Sequence, residues 1–213
     1  MLTCGDWFPK VVKMVQPAVE QPQGKNVFEA ILARRTVRAY APDKISRSAI
    51  QTLLEAAVRA PTAMHEEPWA FVVIQNRQML KQLSNRAKPI FIEEMRHRTA
   101  QGVRHSFEHF ARQDFDMFHG ANTLIIICSK PSSPFVVADC WLAAENLMLA
   151  ACDMGLGSCV IGAAVSFLNI RMVKTELGLP SEYTVIAPII VGVAKEDTSA
   201  TSRKEPLVLS WKQ

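Results

Sequence analysis

The segment from residue 134 to residue 154 limits what this chain can fold into more than any other feature. Its sequence after Pro134, FVVADCWLAAENLMLAACDM, is apolar almost all round. Ser133-Pro134 is typical of a helix start, and Gly155 of a helix end. A helix without a polar face lies at the centre of a core or in an oligomer interface, because every face must be shielded from water. In a chain of only 213 residues, the segment therefore favours a dimer.

Four shorter apolar runs are typical of buried strands. They are Trp69–Ile74, Leu124–Cys128, Ser158–Ile161 and Thr184–Val193. Pro188 in the last run predicts an edge strand or a bulge, because proline cannot donate to a sheet ladder. Helices are expected between most strands, beginning at Asn26 and Ser46 and covering about 77–87 and 167–177. This order of elements predicts an α+β sandwich.

We expect one domain with an extension and an insertion. Residues 1–25 contain three prolines and little periodicity, so they are interpreted as an N-terminal extension to a single domain of residues 26–213. Residues 89–118 mix arginines and histidines with phenylalanines, and we interpret them as a helical insertion that partly covers another surface.

Composition narrows the class of partner. The net charge of +4 is small, whereas nucleic-acid binding normally needs a concentrated basic stripe. The segment Arg96–Arg112 is the rival basic surface, but its interleaved phenylalanines favour packing. We therefore expect no nucleic-acid partner.

The cysteines indicate a compartment. Five cysteines, an odd number without metal-ligand spacing, favour a reducing environment over a disulfide framework and predict no bound metal. Cys128, Cys140 and Cys159 lie in or beside apolar runs, where cysteine is usually a small buried hydrophobe. The N-terminal residues lack the apolar stretch of a signal peptide, and no apolar run approaches the ~20 residues that span a bilayer. We expect a cytoplasmic protein with no membrane partner.

The segment Arg34-Arg35-Thr36-Val37-Arg38 gathers three guanidinium groups and a hydroxyl within five residues. Arginine binds phosphate oxygens through paired hydrogen bonds, so the segment is a candidate phosphate site. A solvated basic helix end, stabilised by the helix dipole, explains the same pattern. The segment alone leaves both interpretations open.

The loop from Ala60 to Trp69 is a second candidate, because it carries a hydroxyl, an imidazole and carboxylates between a helix and a buried strand. A rigid helix-to-strand connection explains its two prolines equally well.

A third candidate is the glycine-rich segment from Gly155 to Gly162, whose glycines would let a flat ligand approach the backbone. A helix C-cap followed by a strand accounts for Gly155 and Gly157 but leaves Gly162 unexplained. The pair Arg203-Lys204 indicates nothing by itself.

Taken in order, RRTVRAY, APTAMHEEPWAFVVI, DCWLAAENLMLAACDMGLGSCVIG and RKEPL resemble the nitroreductase family of flavoproteins over about residues 26–211. The resemblance implies an α+β fold with a central, mostly antiparallel sheet flanked by helices, in a homodimer that exchanges C-terminal tails. It also implies an FMN-dependent oxidoreductase that passes hydride from NADH or NADPH through flavin N5 to a small acceptor, such as a nitroaromatic or a quinone, in a ping-pong cycle. No side chain is expected to be catalytic, because the cofactor performs the chemistry.

The same resemblance implies positions around FMN. Its phosphate and pyrimidine edge would be bound by Arg34, Arg35, Thr36 and Arg38. The partner subunit would line the ring with Pro61, Thr62, Ala63 and His65. Backbone N–H groups near flavin N5 would come from Cys159, Val160, Ile161 and Gly162. The phosphate site would be completed by Arg203 or Lys204.

Two features depart from the family pattern. His65 and Glu67 stand where the family usually has Asn and Gln, and the insertion at 89–118 belongs to a variable region that shapes access to the flavin. An alternative interpretation is therefore a flavin-binding or sensing protein of the same fold without efficient turnover.

Overall fold

A four-stranded antiparallel sheet forms the centre of the computed structural model, which describes residues 25–98, 110, 112, 114–196 and 198–213. The strands are β1 (Trp69–Ile74), β2 (Thr123–Ser129), β3 (Gly157–Val160) and β4 (Thr184–Gly192), in the order β1-β2-β4-β3. The helices are α1 (Val27–Ala33), α2 (Arg47–Ala57), α3 (Arg77–Arg98), α4 (Val136–Asp153), α5 (Val165–Leu168) and α6 (Arg171–Glu176). The predicted α+β fold with an antiparallel sheet is confirmed, whereas the extension at 1–25 lies almost entirely outside the described residues.

The sheet carries helices on both faces because its central strands are apolar on both sides. Successive side chains of a strand point to opposite faces. Leu124 and Ile126 therefore join one buried cluster with α3, α5 and α6, while Ile125 and Ile127 join another with α2 and α4. Every residue of β2 is buried, as its uninterrupted apolar run predicts.

The predicted helix starts are confirmed where a side chain caps them. Asn26 and Glu29 form a reciprocal capping box at α1, and the Ser46 hydroxyl accepts a hydrogen bond of 3.0 Å from the Ala49 amide at α2. The start of the apolar helix was predicted less well. Phe135 occupies the N-cap of α4 without a side-chain hydrogen bond, so the helix begins two residues after Pro134.

Two helix predictions are wrong in extent. α3 continues through Pro89 to Arg98, because Ile90 and Phe91 pack against the core and offset the hydrogen bond that proline removes. The single helix predicted over 167–177 is two helices. Its break is at Asn169, whose side-chain amide exchanges two hydrogen bonds with the backbone of Val185 in β4.

Pro188 lies in an interior strand, so its predicted edge position is wrong. β4 pairs with β2 on one side and with β3 on the other. The β3 ladder ends at the pair formed by Val160 and Ile189. Pro188 has no backbone N–H to donate, but it lies just beyond this last pair, so the ladder loses no hydrogen bond. The register with β2 also shifts between Ile127 and Cys128, beside the proline, as the alternative prediction of a bulge requires.

The apolar helix α4 has both a core face and an outward apolar face. Cys140, Ala143 and Leu147 are fully buried beneath α2 and the sheet. On the outward side, Val137, Trp141 and Leu142 are 41–52% exposed in the single chain. This second face has the character that an interface between subunits requires.

Candidate functional site

The arginine segment lies directly against the glycine-rich segment, so two of the sequence candidates meet. Thr36 forms a parallel bridge with Ser158 of β3, and the Val37 amide donates a 3.0 Å hydrogen bond to the Ser158 carbonyl. This approach requires Gly157, because a Cβ at that position would lie 2.7 Å from a methyl group of Val37. We call residues 34–38 with residues 157–162 the arginine corner.

Two guanidinium groups of the arginine corner contain a buried nitrogen that lacks a hydrogen-bond acceptor. Nε of Arg34 lies 3.4 Å from the Glu145 carboxylate of α4, an ion pair without hydrogen-bond geometry. Arg35 donates through Nη1 to the carbonyls of Leu32 and Arg34, but its buried Nε has no acceptor. Buried donors are normally satisfied, so the corner fits an additional anionic group.

Arg38 lies beside Cys159 across the corner. Burial raises the pKa of the Cys159 thiol, and the adjacent Arg38 guanidinium opposes this effect only in part. The thiol is therefore protonated at neutral pH. No local sequence pattern predicts this contact, because Arg38 is distant from Cys159 along the chain.

Within the glycine-rich segment, fewer backbone N–H groups are free to contact a flavin than the resemblance implies. Cys159 is 3% exposed and points into the core, and the Ile161 amide already donates to the Pro188 carbonyl at 2.8 Å. Val160 is half-buried, and Gly162 is exposed with nothing within 4 Å of where a Cβ would lie. Gly162, the glycine that capping left unexplained, therefore offers the most open approach for a flat ligand.

The loop from Pro61 to Glu67, here called the acidic loop, is held in a strained shape. Met64, His65 and Glu67 have φ values of 55°, 55° and 44°, a region that costs energy for residues other than glycine. The loop is anchored by Asp139 of α4, whose Oδ1 accepts a 3.2 Å hydrogen bond from the Ala63 amide. Asp139 is 4% exposed, and its buried Oδ2 has no hydrogen-bond partner among the described residues.

The arginine corner and the acidic loop lie at opposite edges of the sheet. The loop enters β1, three strand spacings from β3, or about 14 Å. The two regions also lie at different heights along the strands. Trp69 of β1 lies level with Thr184 of β4, through its pairing with β2, whereas Val160 of β3 pairs with Ile189 of β4. The five residue steps from 184 to 189 correspond to about 17 Å along the strand. Within one chain, Trp69, which follows the acidic loop, is therefore roughly 20 Å from Val160 of the arginine corner.

The C-terminal candidates are exposed and make no hydrogen bond or ion pair with the arginine corner among the described residues. Arg203 and Lys204 are exposed, as are all the described residues from 198 to 213. The Arg203 guanidinium bonds only to its neighbours, with 2.9 Å to the Thr201 hydroxyl. Leu207, Leu209 and Trp211 are each more than three-quarters exposed.

Sequence reasoning missed the acidic residues of α4. Each of its three acids joins another segment: Asp139 bonds to the acidic loop, Glu145 pairs with Arg34, and Asp153 accepts from the Lys25 amide at 2.6 Å. For Asp139 the available signal was its position on the buried side of an apolar helix, because a buried charge needs a specific partner. Glu145 and Asp153 are exposed and gave no such signal.

Two kinds of feature are absent from the described residues: a membrane-spanning helix and a metal-binding cluster. None of the helices there combines the length and apolar character needed to cross a membrane. The same part of the chain holds no cluster of three or more His, Cys, Asp or Glu side chains that could bind a metal ion.

Comparison with known proteins identifies the family. Residues 31–193 match the model of the nitroreductase family. An Archaeoglobus fulgidus protein whose provisional name is NADH dehydrogenase/NAD(P)H nitroreductase is 29% identical over 80% of this chain and 86% of its own length. Iodotyrosine deiodinase of Thermotoga neapolitana is 25% identical over 86% of this chain and 97% of its own.

A solved structure agrees with this assignment. The Bacteroides fragilis nitroreductase with bound FMN is 28% identical, covers 88% of this chain and 98% of its own, and superposes with a TM-score of 0.73. The chain belongs to the nitroreductase family.

Proposed function

We propose that this chain is a homodimeric, FMN-dependent oxidoreductase that transfers hydride from NADH or NADPH to a small acceptor such as a nitroaromatic or a quinone. FMN in the similar B. fragilis structure and the NAD(P)H nitroreductase name of the A. fulgidus relative support the cofactor and the donor. We further propose a single domain at residues 26–213 and a cytoplasmic location, which the free cysteines fit.

The observation that carries the proposal is the chemistry of the arginine corner. Arg34 and Arg35 each hold a buried Nε without a hydrogen-bond acceptor, and a phosphate supplies acceptors for several N–H groups at once. Thr36 adds an exposed hydroxyl, and Arg38 extends the positive charge toward β3. Gly162 leaves open space for a flat ring at the end of the same strand. The residues therefore fit FMN, with the phosphate at Arg34 and Arg35 and the ring beside Val160 and Gly162.

The second subunit supplies the missing side of the site in this proposal. The acidic loop carries Pro61, Thr62, Ala63 and His65, but it leads into β1, at the opposite edge of the sheet from its own β3. A symmetric dimer brings the loop of one chain to the arginine corner of the other. Arg203 or Lys204 would reach a phosphate in the same way, on a tail that crosses to the other subunit.

Apolar surfaces on the single chain support this dimer. Trp141 and Leu142 of α4 are exposed, and so are Phe28 and Leu32 of α1. The tail presents Leu207–Trp211 without packing partners among the described residues. Exposed apolar side chains in this number are typical of surfaces that other chains cover.

When bound, FMN would take hydride at N5 and pass two electrons to the acceptor. The residues of this chain would bind and orient. Arg34 and Arg35 would neutralise the phosphate, and the strained acidic loop would close one side of the ring. Cys159 would contribute packing, because its buried thiol stays protonated.

The absorption spectrum and steady-state turnover of the purified protein test the proposal. We expect a yellow protein that releases FMN, and no FAD, on denaturation, and that oxidises NADH or NADPH when menadione or nitrofurazone is present. A colourless protein that gains no flavin on incubation with FMN would contradict the proposal. Tightly bound FMN without NAD(P)H oxidation would favour the flavin-binding or sensing alternative.

A further inference from the structure

A second basic surface lies next to the arginine corner, where residues 38–40 run along the end of β4. It is an open cleft of about 450 Å³ between the end of β4, the start of α3 and the turn at 114–120. Four cationic side chains and two carboxylates line it, those of Arg38, Arg77, Arg112, Lys195, Asp114 and Asp116. Of these, only Arg38 belongs to the arginine corner.

Both carboxylates of the cleft are already engaged. Asp114 forms a two-pronged ion pair with Arg112, at 2.8 and 3.1 Å. Asp116 accepts backbone hydrogen bonds from Phe118 and Gly120, at 3.1 and 3.0 Å, which hold the turn in shape. With four cations and two carboxylates, the lining of the cleft keeps two positive charges in excess.

Arg38, Arg77 and Lys195 make no ion pair with a carboxylate in the part of the chain that the structure describes. The backbone brings two of them together, because the Lys195 amide donates to Ala39 at 3.0 Å, beside Arg38. The Arg77 guanidinium packs over Gly120, with Nη2 3.7 Å from where a Cβ would lie. Gly120 has a left-handed φ of +72°, a conformation that favours glycine, so no side chain at this position blocks the approach of the Arg77 guanidinium.

Arg77 is also at an unfavourable place for a cation. It is the first residue of the 22-residue helix α3, whose first turn contains no acidic residue. The positive end of the helix dipole repels a cation there and attracts an anion. The cleft therefore combines a helix N-terminus with three cations that lack carboxylate partners.

We propose that this cleft binds the phosphate group of a small ligand, at a site separate from the proposed FMN phosphate. Two guanidinium groups and an ammonium offer more donors than a carboxylate has oxygens, which favours a phosphate with three free oxygens. The phosphate has two sources of the same chemistry: the 2′-phosphate of NADPH, or a free phosphorylated compound.

Calorimetric titration of the flavin-saturated, full-length protein tests the proposal, because saturation with FMN occupies the proposed phosphate site at Arg34 and Arg35. The probes are inorganic pyrophosphate, adenosine 2′,5′-bisphosphate and adenosine 5′-monophosphate. We expect the double variant Arg77→Ala/Lys195→Ala to bind pyrophosphate or adenosine 2′,5′-bisphosphate about tenfold or more weakly than the parent does. Its FMN content should be unchanged.

The matched control is Arg47→Ala. Arg47 is likewise an exposed arginine at the first residue of a helix without acids in its first turn, but it lies outside the cleft. A preference for adenosine 2′,5′-bisphosphate over the other two probes identifies NADPH as the source, and equal binding of pyrophosphate identifies a free phosphorylated compound.

Three results would overturn the proposal: no binding of any probe, equal binding to the parent and the double variant, or an equal loss in Arg47→Ala, which would indicate surface charge alone. A protein that binds no flavin would contradict the proposed function. The comparison of the parent with the double variant would still test the cleft, because Arg77 and Lys195 lie outside the arginine corner.

Discussion

The arginine corner and the acidic loop reach their shapes by different means. The arginine corner is built by backbone pairing: Thr36 and Val37 join β3, and Gly157 permits the close approach. The acidic loop has no ladder to hold it, and it carries three residues with positive φ anchored by one buried carboxylate, Asp139. The arginine corner presents cations on an edge held by strand pairing, whereas the acidic loop has a strained backbone. In the proposed dimer, one flavin site would combine the first region of one chain with the second region of the other.

Disruption of the subunit interface has the largest expected effect, because it separates the two regions completely. We expect Trp141→Glu to produce a monomer at micromolar concentration that retains no FMN, since it places a charge in the apolar face of α4. Analytical ultracentrifugation with absorbance at the flavin band measures both properties. The control is Val58→Glu, because Val58 is 40% exposed and Trp141 41%. A flavin-loaded Trp141→Glu monomer would show that one chain is sufficient.

Loss of a phosphate-binding arginine has the next largest effect. Arg34→Ala should weaken FMN binding by about 1.5–3 kcal/mol, the usual contribution of a hydrogen bond to a charged group. Arg34→Lys should rescue it only in part, because the planar fork is lost. Fluorescence titration of the apoprotein with FMN measures the affinity.

Glu145→Gln is the control for Arg34, because it removes the same ion pair and keeps the guanidinium. We expect this variant to bind FMN at least as tightly as the parent. Equal weakening in Glu145→Gln and Arg34→Ala would mean that the ion pair, and not a phosphate contact, matters at this position.

The anchor of the acidic loop contributes a smaller effect. Asp139→Ala should lower the free energy of unfolding by about 1–3 kcal/mol, because the Ala63 amide loses its acceptor. Asp139→Asn keeps an acceptor oxygen and should lose less. Urea denaturation followed by circular dichroism measures the difference. The control is Asp153→Ala on the same helix, whose carboxylate bonds to the exposed Lys25. Equal losses in the two alanine variants would remove the special role of Asp139.

Side-chain chemistry beside the flavin has the smallest expected effect. Cys159→Ala, His65→Asn and Glu67→Gln should each keep the rate of flavin reduction by NAD(P)H within roughly tenfold, or about 1.4 kcal/mol in barrier. Burial raises the pKa of Cys159, so no thiolate is present at neutral pH to act as a nucleophile. Stopped-flow absorbance isolates this half of the cycle from the choice of acceptor. A loss beyond a hundredfold with FMN fully bound would indicate a general acid or base.

Sequence patterns predicted the elements whose signals are local. Capping at Asn26 and Ser46 and the apolar runs of the strands fixed most of the fold without reference to distant residues. The two wrong helix predictions failed because tertiary contacts determine the extent of those helices. Pro89 is tolerated inside α3 because its neighbours pack against the core, and Asn169 ends α5 because it bonds to β4. These contacts join residues far apart in sequence, and no local pattern contains them.

The site shows the same division. The arginines and Gly162 could be proposed from sequence because their chemistry or backbone freedom is unusual where they stand. Arg38 beside Cys159, and Asp139 beneath the acidic loop, depend on how the chain crosses the sheet. The distance between the two regions could be known only from the strand order β1-β2-β4-β3.

The central claim is that one flavin site is made from two chains, and complementation between two defective variants tests it most directly. Arg34→Ala damages the arginine corner, and Thr62→Trp blocks the site that the acidic loop would cover in the partner. Each variant alone should bind little FMN. After subunit exchange in an equal mixture, half of the dimers contain one of each chain, and each of these has one intact site. The account predicts recovery of about one quarter of the parental FMN content. Exchange verified by mass spectrometry without any recovery of bound FMN would contradict the account.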